Sequence, residues 1–297
     1  MKSIFIKCKI DKVIVKIFFV LFLTFPLSVI GERIKKDEKL VLKGNEILNK
    51  GKYLRAIKLY SKAISINSQN LNAYIKRGYA RILLKEYIKA VDDNNYVISL
   101  NDSFPEAYNN RAICKSYLND IEGAIKDYNK AIFLSPNSSL YYLNRGICYD
   151  ENIGDYLRAI EDYNITLQLD SLNYEAINNK GNCLLKMGDY QNAILLLSKS
   201  IELKPNFGLA YNNRGYCRLI LGEYTLAILD FEYAEKYFPT YVYIYNNKAN
   251  CYFKMNRLKE ACINWNKAIS MGYKYQPEWK QLYNIEDPAT LIENYCK

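Results

Sequence analysis

The sequence predicts an all-α solenoid built from tandem helix-turn-helix repeats. Small residues recur every 34 residues, with a single step of 35, and an alanine follows each of them on the next helical segment. A helix pair of this length cannot bury its apolar face alone, so successive pairs must stack on one another. The small residues are Gly44, Gly78, Ala112, Gly146, Gly181, Gly215 and Ala249.

Seven repeats occupy residues 37–275, with one inserted residue in the loop of the fourth. In each repeat, two segments of helical periodicity flank a short turn such as Met187-Gly188-Asp189. Repeat positions are counted from the first residue of each repeat, skipping the insertion in the fourth. The repeats are 37–70, 71–104, 105–138, 139–173, 174–207, 208–241 and 242–275.

The segments outside the repeats have their own signatures. Residues 1–31 contain a lysine-rich start and then an uncharged run from Ile17 to Ile30, which is typical of a signal peptide or an N-terminal membrane anchor. Either one would export the repeats from the cytoplasm, as a periplasmic, secreted or membrane-anchored protein. Residues 276–297 predict a C-terminal capping helical segment, with Asp287 and Pro288 starting a helix.

Each repeat carries an aromatic or apolar signature at fixed positions. The sixth repeat has Tyr211 at position 4, Gly215 at position 8, Ala227 at position 20, Phe231 at position 24 and Pro239 at position 32. This pattern resembles the tetratricopeptide repeat (TPR) family over about four-fifths of the chain. The resemblance implies a right-handed α-solenoid, whose first helices line a concave groove that binds ligands.

Composition excludes several classes of function. The chain has no histidine, so imidazole bases, histidine-activated nucleophiles and histidine metal sites are excluded. We expect no catalytic residue, no cofactor and no metal site. The net charge is +10, but lysines alternate with acidic residues instead of forming a basic stripe, so nucleic acid is not the expected partner.

Five of the eight cysteines share position 10, where the family usually has alanine. We expect them to be free, buried thiols that act as small apolar groups. Seven cysteines remain after the leader, and we interpret all seven as free; Cys262 and Cys296 are the one pair that needs checking as a disulfide. The position-10 residues are Cys114, Cys148, Cys183, Cys217 and Cys251.

Positions 7 and 23 vary together. Where position 7 is arginine, position 23 is aspartate; where position 7 is lysine, position 23 is leucine or asparagine. A guanidinium matches a carboxylate with two hydrogen bonds, so we expect these pairs to be structural clips between the two helices of one repeat. The pairs are Arg77 with Asp93, Arg111 with Asp127, Arg145 with Asp162, and Arg214 with Asp230.

Position 6 carries asparagine in five consecutive repeats. We call Asn110, Asn144, Asn179, Asn213 and Asn247 the carboxamide row. A carboxamide both donates and accepts, so a row of them suits the main chain of an extended peptide, and a similar ladder occurs in the TPR array of O-linked N-acetylglucosamine transferase. The remaining predicted groove residues, all at position 9, are Asn182, Asn250, Tyr79 and Tyr216.

These features predict a non-catalytic scaffold that binds a protein or extended peptide segment in its groove. The groove lacks the cations with which one TPR subclass grips a terminal carboxylate, so that mode is not expected. Two alternatives remain open at this point: a basic helical-repeat protein that binds nucleic acid, and an accessory subunit of a cell-envelope or glycan-handling complex. A membrane would be contacted only through an uncleaved N-terminal segment.

Overall fold

The computed structural model describes residues 35–275 and 287–296, and every regular element in them is helical. The predicted leader, residues 1–31, lies outside the described residues, as does the first part of the capping segment, residues 276–286. None of the helices in the described ranges combines the length and the apolar character that crossing a bilayer demands. The all-α fold class is confirmed.

The chain divides into two compact units, one ending at Lys85 and one beginning at Glu86. The N-terminal unit contains α1 (Lys36–Asn49), α2 (Tyr53–Ile66) and α3 (Leu71–Leu83). The C-terminal unit contains α4 (Tyr87–Leu100), α5 (Pro105–Tyr117), α6 (Ile121–Leu134), α7 (Ser139–Cys148), α8 (Tyr156–Leu169), α9 (Tyr174–Lys186), α10 (Tyr190–Leu203), α11 (Gly208–Ile220), α12 (Tyr224–Tyr237), α13 (Tyr243–Lys254), α14 (Leu258–Ser270) and α15 (Pro288–Tyr295).

Within the C-terminal unit, each helix packs against the helix before it and the helix after it. Position 24 supplies large apolar side chains to this core, and Tyr163, Leu197, Phe231 and Trp265 are all fully buried there. Each of these residues lies on a second helix and packs into its own repeat, and buried apolar residues from Ala193 to Leu291 form one cluster that spans several helices. This unit is the solenoid of consecutive helical pairs that the periodicity predicts.

The small residue at position 8 makes room for the side chain at position 24. A Cβ added to Gly146 would lie 2.7 Å from the ring of Tyr163, and one added to Gly215 would lie 2.8 Å from the ring of Phe231. Both distances are far below van der Waals contact, so a larger residue would force the two helices of the repeat apart. Small residues therefore recur at position 8 because a larger side chain would collide with the residue at position 24.

The inserted residue of the fourth repeat is absorbed by a helical turn. A π-helical segment, Tyr149–Ile153, continues α7 and ends at Gly154, which has a left-handed φ of 75°. A π turn accommodates one extra residue without breaking the helix. The next helix then starts normally, because the side chain of Asp155 accepts a hydrogen bond from the backbone N–H of Arg158.

The five position-10 thiols are free and buried, as predicted. The interpretation that all seven cysteines are free is wrong for the last two, because Cys262 and Cys296 form a disulfide. The reason is tertiary: Asp287 is the N-cap residue of α15, its side chain accepts a hydrogen bond from the N–H of Ala289, and α15 packs back against α14. This packing brings Cys296 to a Cα–Cα distance of 5.6 Å from Cys262.

Candidate functional site

Three of the four position-7 arginines each bind the aspartate at position 23 of their own repeat through two nitrogens. Nε and Nη2 of Arg111 both lie 2.7 Å from the carboxylate oxygens of Asp127. The corresponding distances are 2.8 and 2.7 Å from Arg145 to Asp162, and 3.0 and 2.7 Å from Arg214 to Asp230. Arg77 and Asp93 lie on opposite sides of the division between the two units, so their pairing remains a prediction.

The same cations also bind the preceding repeat, a contact that the sequence comparison missed. Nη1 of Arg111 donates to the side chain of Asn95 at 2.8 Å, and Nη1 of Arg214 donates to Ser198 at 3.0 Å. Position 25 of the preceding repeat supplies each acceptor, so one guanidinium connects three helices. Arg145 donates likewise to Asn129, Lys180 to Asn164 and, in the N-terminal unit, Arg77 to Ser61.

A second cation, at position 11, completes two of these clips. Nζ of Lys115 lies 2.9 Å from Asp127, and Nη1 of Arg218 lies 2.8 Å from Asp230. The hydrogen bond to Asp127 is also the main reason why the pKa of Arg111 is raised above its ordinary value. These basic side chains are therefore occupied inside the solenoid, and they do not form a free basic stripe.

The carboxamide row lies beside a second line of asparagines at position 5, which is buried. Asn109, Asn178 and Asn212 expose no more than 5% of their surface. In the row itself, the middle three residues are half-buried and therefore accessible, whereas its two ends expose 5% and 7%. The accessible residues are Asn144, Asn179 and Asn213, and the buried ends are Asn110 and Asn247.

The carboxamides bind one another from repeat to repeat. Nδ2 of a row asparagine donates to Oδ1 of the position-5 asparagine one repeat earlier. The distances are 2.8 Å from Asn144 to Asn109, 3.3 Å from Asn213 to Asn178 and 3.4 Å from Asn247 to Asn212. Within a repeat, Asn178 donates to Asn179 at 3.0 Å, and Asn212 donates to Asn213 at 3.3 Å. The row is therefore part of the hydrogen bonding of the solenoid as well as a candidate binding surface, which the sequence did not indicate.

The position-9 residues differ in their surroundings. Oδ1 of Asn250 accepts a hydrogen bond from Nε1 of Trp265 at 3.2 Å, so this asparagine supports the core aromatic residue of its own repeat. Asn182 and Tyr216 are half-buried on the first helices of their repeats. Tyr79 is 40% exposed, and it belongs to the N-terminal unit.

An ion pair joins repeats 4 and 5. Nζ of Lys186 lies 2.6 Å from Oδ1 of Asp150, whose side chain is only 5% exposed. Burial opposes the charge of Lys186, but the hydrogen bond and the charge of Asp150 outweigh burial, so the pKa of the lysine is raised. In the described ranges, no three histidine, cysteine or acidic side chains are grouped so that they could hold a metal ion.

Comparisons with known proteins relate the chain to one family. One model of the tetratricopeptide repeat matches residues 105–138 and 174–207, and a second matches residues 40–70 and 242–271. No curated protein sequence matches the chain. Three similar solved structures, none above 20% identity, agree with it in fold.

A tetratricopeptide repeat protein from Parabacteroides merdae superposes with a TM-score of 0.61 at 20% identity, covering 84% of this chain and 98% of that one. A TPR protein of Thermus thermophilus gives 0.56 at 18% identity, covering 62% and 99%. PilF of Pseudomonas aeruginosa gives 0.62 at 16% identity, covering 75% and 96%.

Proposed function

We propose that this protein is a non-catalytic adaptor that holds an extended peptide segment against its carboxamide row. The chain belongs to the tetratricopeptide repeat proteins, whose fold serves as a scaffold for protein interactions. The observation that carries the proposal is the hydrogen-bonded order of the row. Each carboxamide offers two donors and two acceptor lone pairs, and the bonds inside the solenoid use only part of this capacity.

The order of the row favours binding because it reduces the entropy lost on association. Asn213 donates to Asn178 and accepts from Asn212, so its orientation is set before a ligand arrives. A pre-oriented side chain pays less conformational entropy on binding than a free one. Since the peptide main chain is neutral, the proposed interaction depends little on salt, unlike binding to nucleic acid.

Export is part of the proposal. It is supported by the composition of residues 1–31, which lie outside the described residues, and by the disulfide between Cys262 and Cys296. Structural disulfides persist in oxidising compartments and are rare in the cytosol. The mature protein recovered from the exporting cell is expected to keep this disulfide, and N-terminal sequencing would reveal cleavage after Gly31.

A triple variant tests the role of the row. Twelve-residue random peptides displayed on phage are selected on the wild-type protein, and their affinities are remeasured on Asn144→Ala/Asn179→Ala/Asn213→Ala. We expect a loss of about 1 kcal/mol for each carboxamide, or roughly two orders of magnitude in Kd in total. The loss should be similar for unrelated peptides and should change little between low and high salt.

The matched control removes three exposed carboxamides elsewhere, in Asn137→Ala/Gln191→Ala/Asn206→Ala. This variant should bind the peptides like the wild type. Circular dichroism accompanies both, because the row also stabilises the solenoid. A folded row variant that binds selected peptides normally would refute the proposed function, as would a selection that yields no peptide.

A further inference from the structure

Two steps of the asparagine system are complete, and they share one geometry. The carboxamide of Asn178 donates to Asn179 of its own repeat and accepts from Asn213 of the next repeat. The carboxamide of Asn212 does the same between Asn213 and Asn247. In each case, one buried amide connects two consecutive members of the row.

The step between repeats 4 and 5 lacks this connecting amide. Position 5 of the fourth repeat is Leu143, a buried residue that can neither donate nor accept. Asn144 still donates to Asn109, and Asn179 still accepts from Asn178, so both side chains are held in place. However, Oδ1 of Asn144 and Nδ2 of Asn179 have no hydrogen-bond partner among residues 35–275 and 287–296.

The two row residues at this step are accessible. The junction is held further along the helices by the ion pair between Asp150 and Lys186. The unpartnered acceptor and donor therefore lie on half-buried residues that a ligand can reach.

We infer that this break in the row binds one amide group of the ligand, a conclusion that rests on the proposed function. The bound group must donate to Oδ1 of Asn144 and accept from Nδ2 of Asn179. An amide does both, whereas a carboxylate has no donor and an ammonium has no acceptor. Glu175, one turn before Asn179 and exposed, also disfavours a carboxylate.

The side-chain carboxamide of asparagine or glutamine is the group that the two complete steps already use, so it fits the break best. Leu140 and Ile147, one turn on either side of Asn144 on the same helix face, are exposed and half-buried respectively. They offer apolar contact to the carbon atoms of such a side chain. The break therefore selects for one asparagine or glutamine in an otherwise loosely specified peptide.

The test compares the wild type with Leu143→Asn, which supplies the missing amide from within. The matched control is Leu143→Met, which keeps an apolar side chain of similar volume. Random twelve-residue peptides selected on the wild type should share one asparagine or glutamine, and changing it to aspartate or glutamate should weaken binding at least tenfold. On Leu143→Asn the parent peptide should bind about tenfold more weakly and the tenfold discrimination should disappear, whereas Leu143→Met should behave like the wild type.

Two further arms keep the result decisive. If the bound amide belongs to the peptide main chain, the selected peptides need not share an asparagine or glutamine. Methylation of a single backbone nitrogen should then weaken binding to the wild type but not to Leu143→Asn. If Leu143→Asn does not fold, Asn179→Asp replaces the donor by a charged acceptor and keeps the bond from Asn178. The affinity of this variant for the parent peptide should fall at least tenfold. The inference would be overturned if Leu143→Asn bound the parent peptide with the affinity and the discrimination of the wild type. If Leu143→Asn is unfolded, the same result on Asn179→Asp would overturn it. Either result leaves the proposed function intact. Peptides indifferent to the triple alanine variant of the row would overturn the proposed function itself.

Discussion

Arg111 binds both carboxylate oxygens of Asp127 within its own repeat and, with its third nitrogen, the side chain of Asn95 in the preceding repeat. The pair is mostly buried, with side-chain exposures of 17% and 7%. One guanidinium therefore fixes the angle between two helices of a repeat and the register between two repeats. Lysine has no fork with which to make all three contacts.

The first prediction concerns this clip. Arg111→Lys should cost about 1–2 kcal/mol of unfolding free energy, and Asp127→Ala about 2–3 kcal/mol, because the second change also leaves Lys115 without its partner. The double variant should lose less than the sum, as residues in one network are not additive. Urea unfolding followed by circular dichroism measures all four proteins.

The control for the clip is Arg158→Lys, since Arg158 forms an exposed ion pair with Asp155. This change should alter stability by less than about 0.5 kcal/mol. Strictly additive losses for Arg111 and Asp127 would show that the two side chains contribute independently.

The second prediction concerns the thiols. Burial raises the pKa of Cys114, Cys183, Cys217 and Cys251 to about 12, and that of Cys148 to about 11. Since the thiolate is the reactive form, the native protein should react very slowly with a thiol reagent at pH 8. After denaturation without reductant, five thiols per molecule of the mature protein should react with the reagent, and seven should react after reduction. One equivalent or none in the unreduced sample would contradict the buried-thiol interpretation.

The third prediction is a loss of stability at alkaline pH. The folded pKa of these thiols lies above the ordinary value of 9.0, so the folded state holds their protons more tightly than the unfolded state. Their contribution is intact below pH 9 and is lost as the pH rises from 9 towards 12, by about 1 kcal/mol per thiol at pH 10. The pKa of Tyr60 and of Tyr141 is likewise raised to about 12 by burial, which acts in the same direction.

Thermal unfolding between pH 7 and 10.5, with thiolate absorbance recorded in parallel, measures this effect. The variant Cys217→Ala has one linked proton fewer, so its stability should fall less steeply with pH. A slope equal to that of the wild type would show that this thiol does not contribute to the alkaline transition.

The fourth prediction concerns the disulfide that ties α15 to α14. It closes a loop with a sequence separation of 34. Cys262→Ser/Cys296→Ser should lower stability by up to about 4 kcal/mol on loop entropy alone. Hydrogen exchange should increase first in α14 and α15, because a repeat array loses structure locally from its ends.

The control for the disulfide is Cys251→Ser, which replaces a buried free thiol in the same repeat and leaves the disulfide in place. The loss of stability of Cys251→Ser should not depend on reductant. If adding reductant leaves hydrogen exchange in α14 and α15 of the wild type unchanged, the disulfide does not hold the end of the array.

The features that repeat every 34 residues could be predicted from the sequence because each of them is a local steric or pairing requirement. Gly146 must be small because the ring of Tyr163 packs on it, and Cys217 replaces alanine at a fully buried position. Positions 7 and 23, which Arg145 and Asp162 occupy in the fourth repeat, vary together because both lie within one helix pair. A contact made inside a repeat recurs in each repeat that makes it, so it is visible in the periodicity of the sequence.

Only the tertiary structure decided the contacts that run between repeats or beyond them. Asn213 reaches Asn178 because the first helices stack in one particular register, which no single repeat specifies. The disulfide depends on where α15 packs, and the incomplete step at Leu143 depends on how the fourth repeat, which has no amide at position 5, stacks on the fifth. Periodicity determines which residues face which side of a helix, but the stacking of one repeat on the next determines which of their polar atoms are satisfied and which stay open to a ligand.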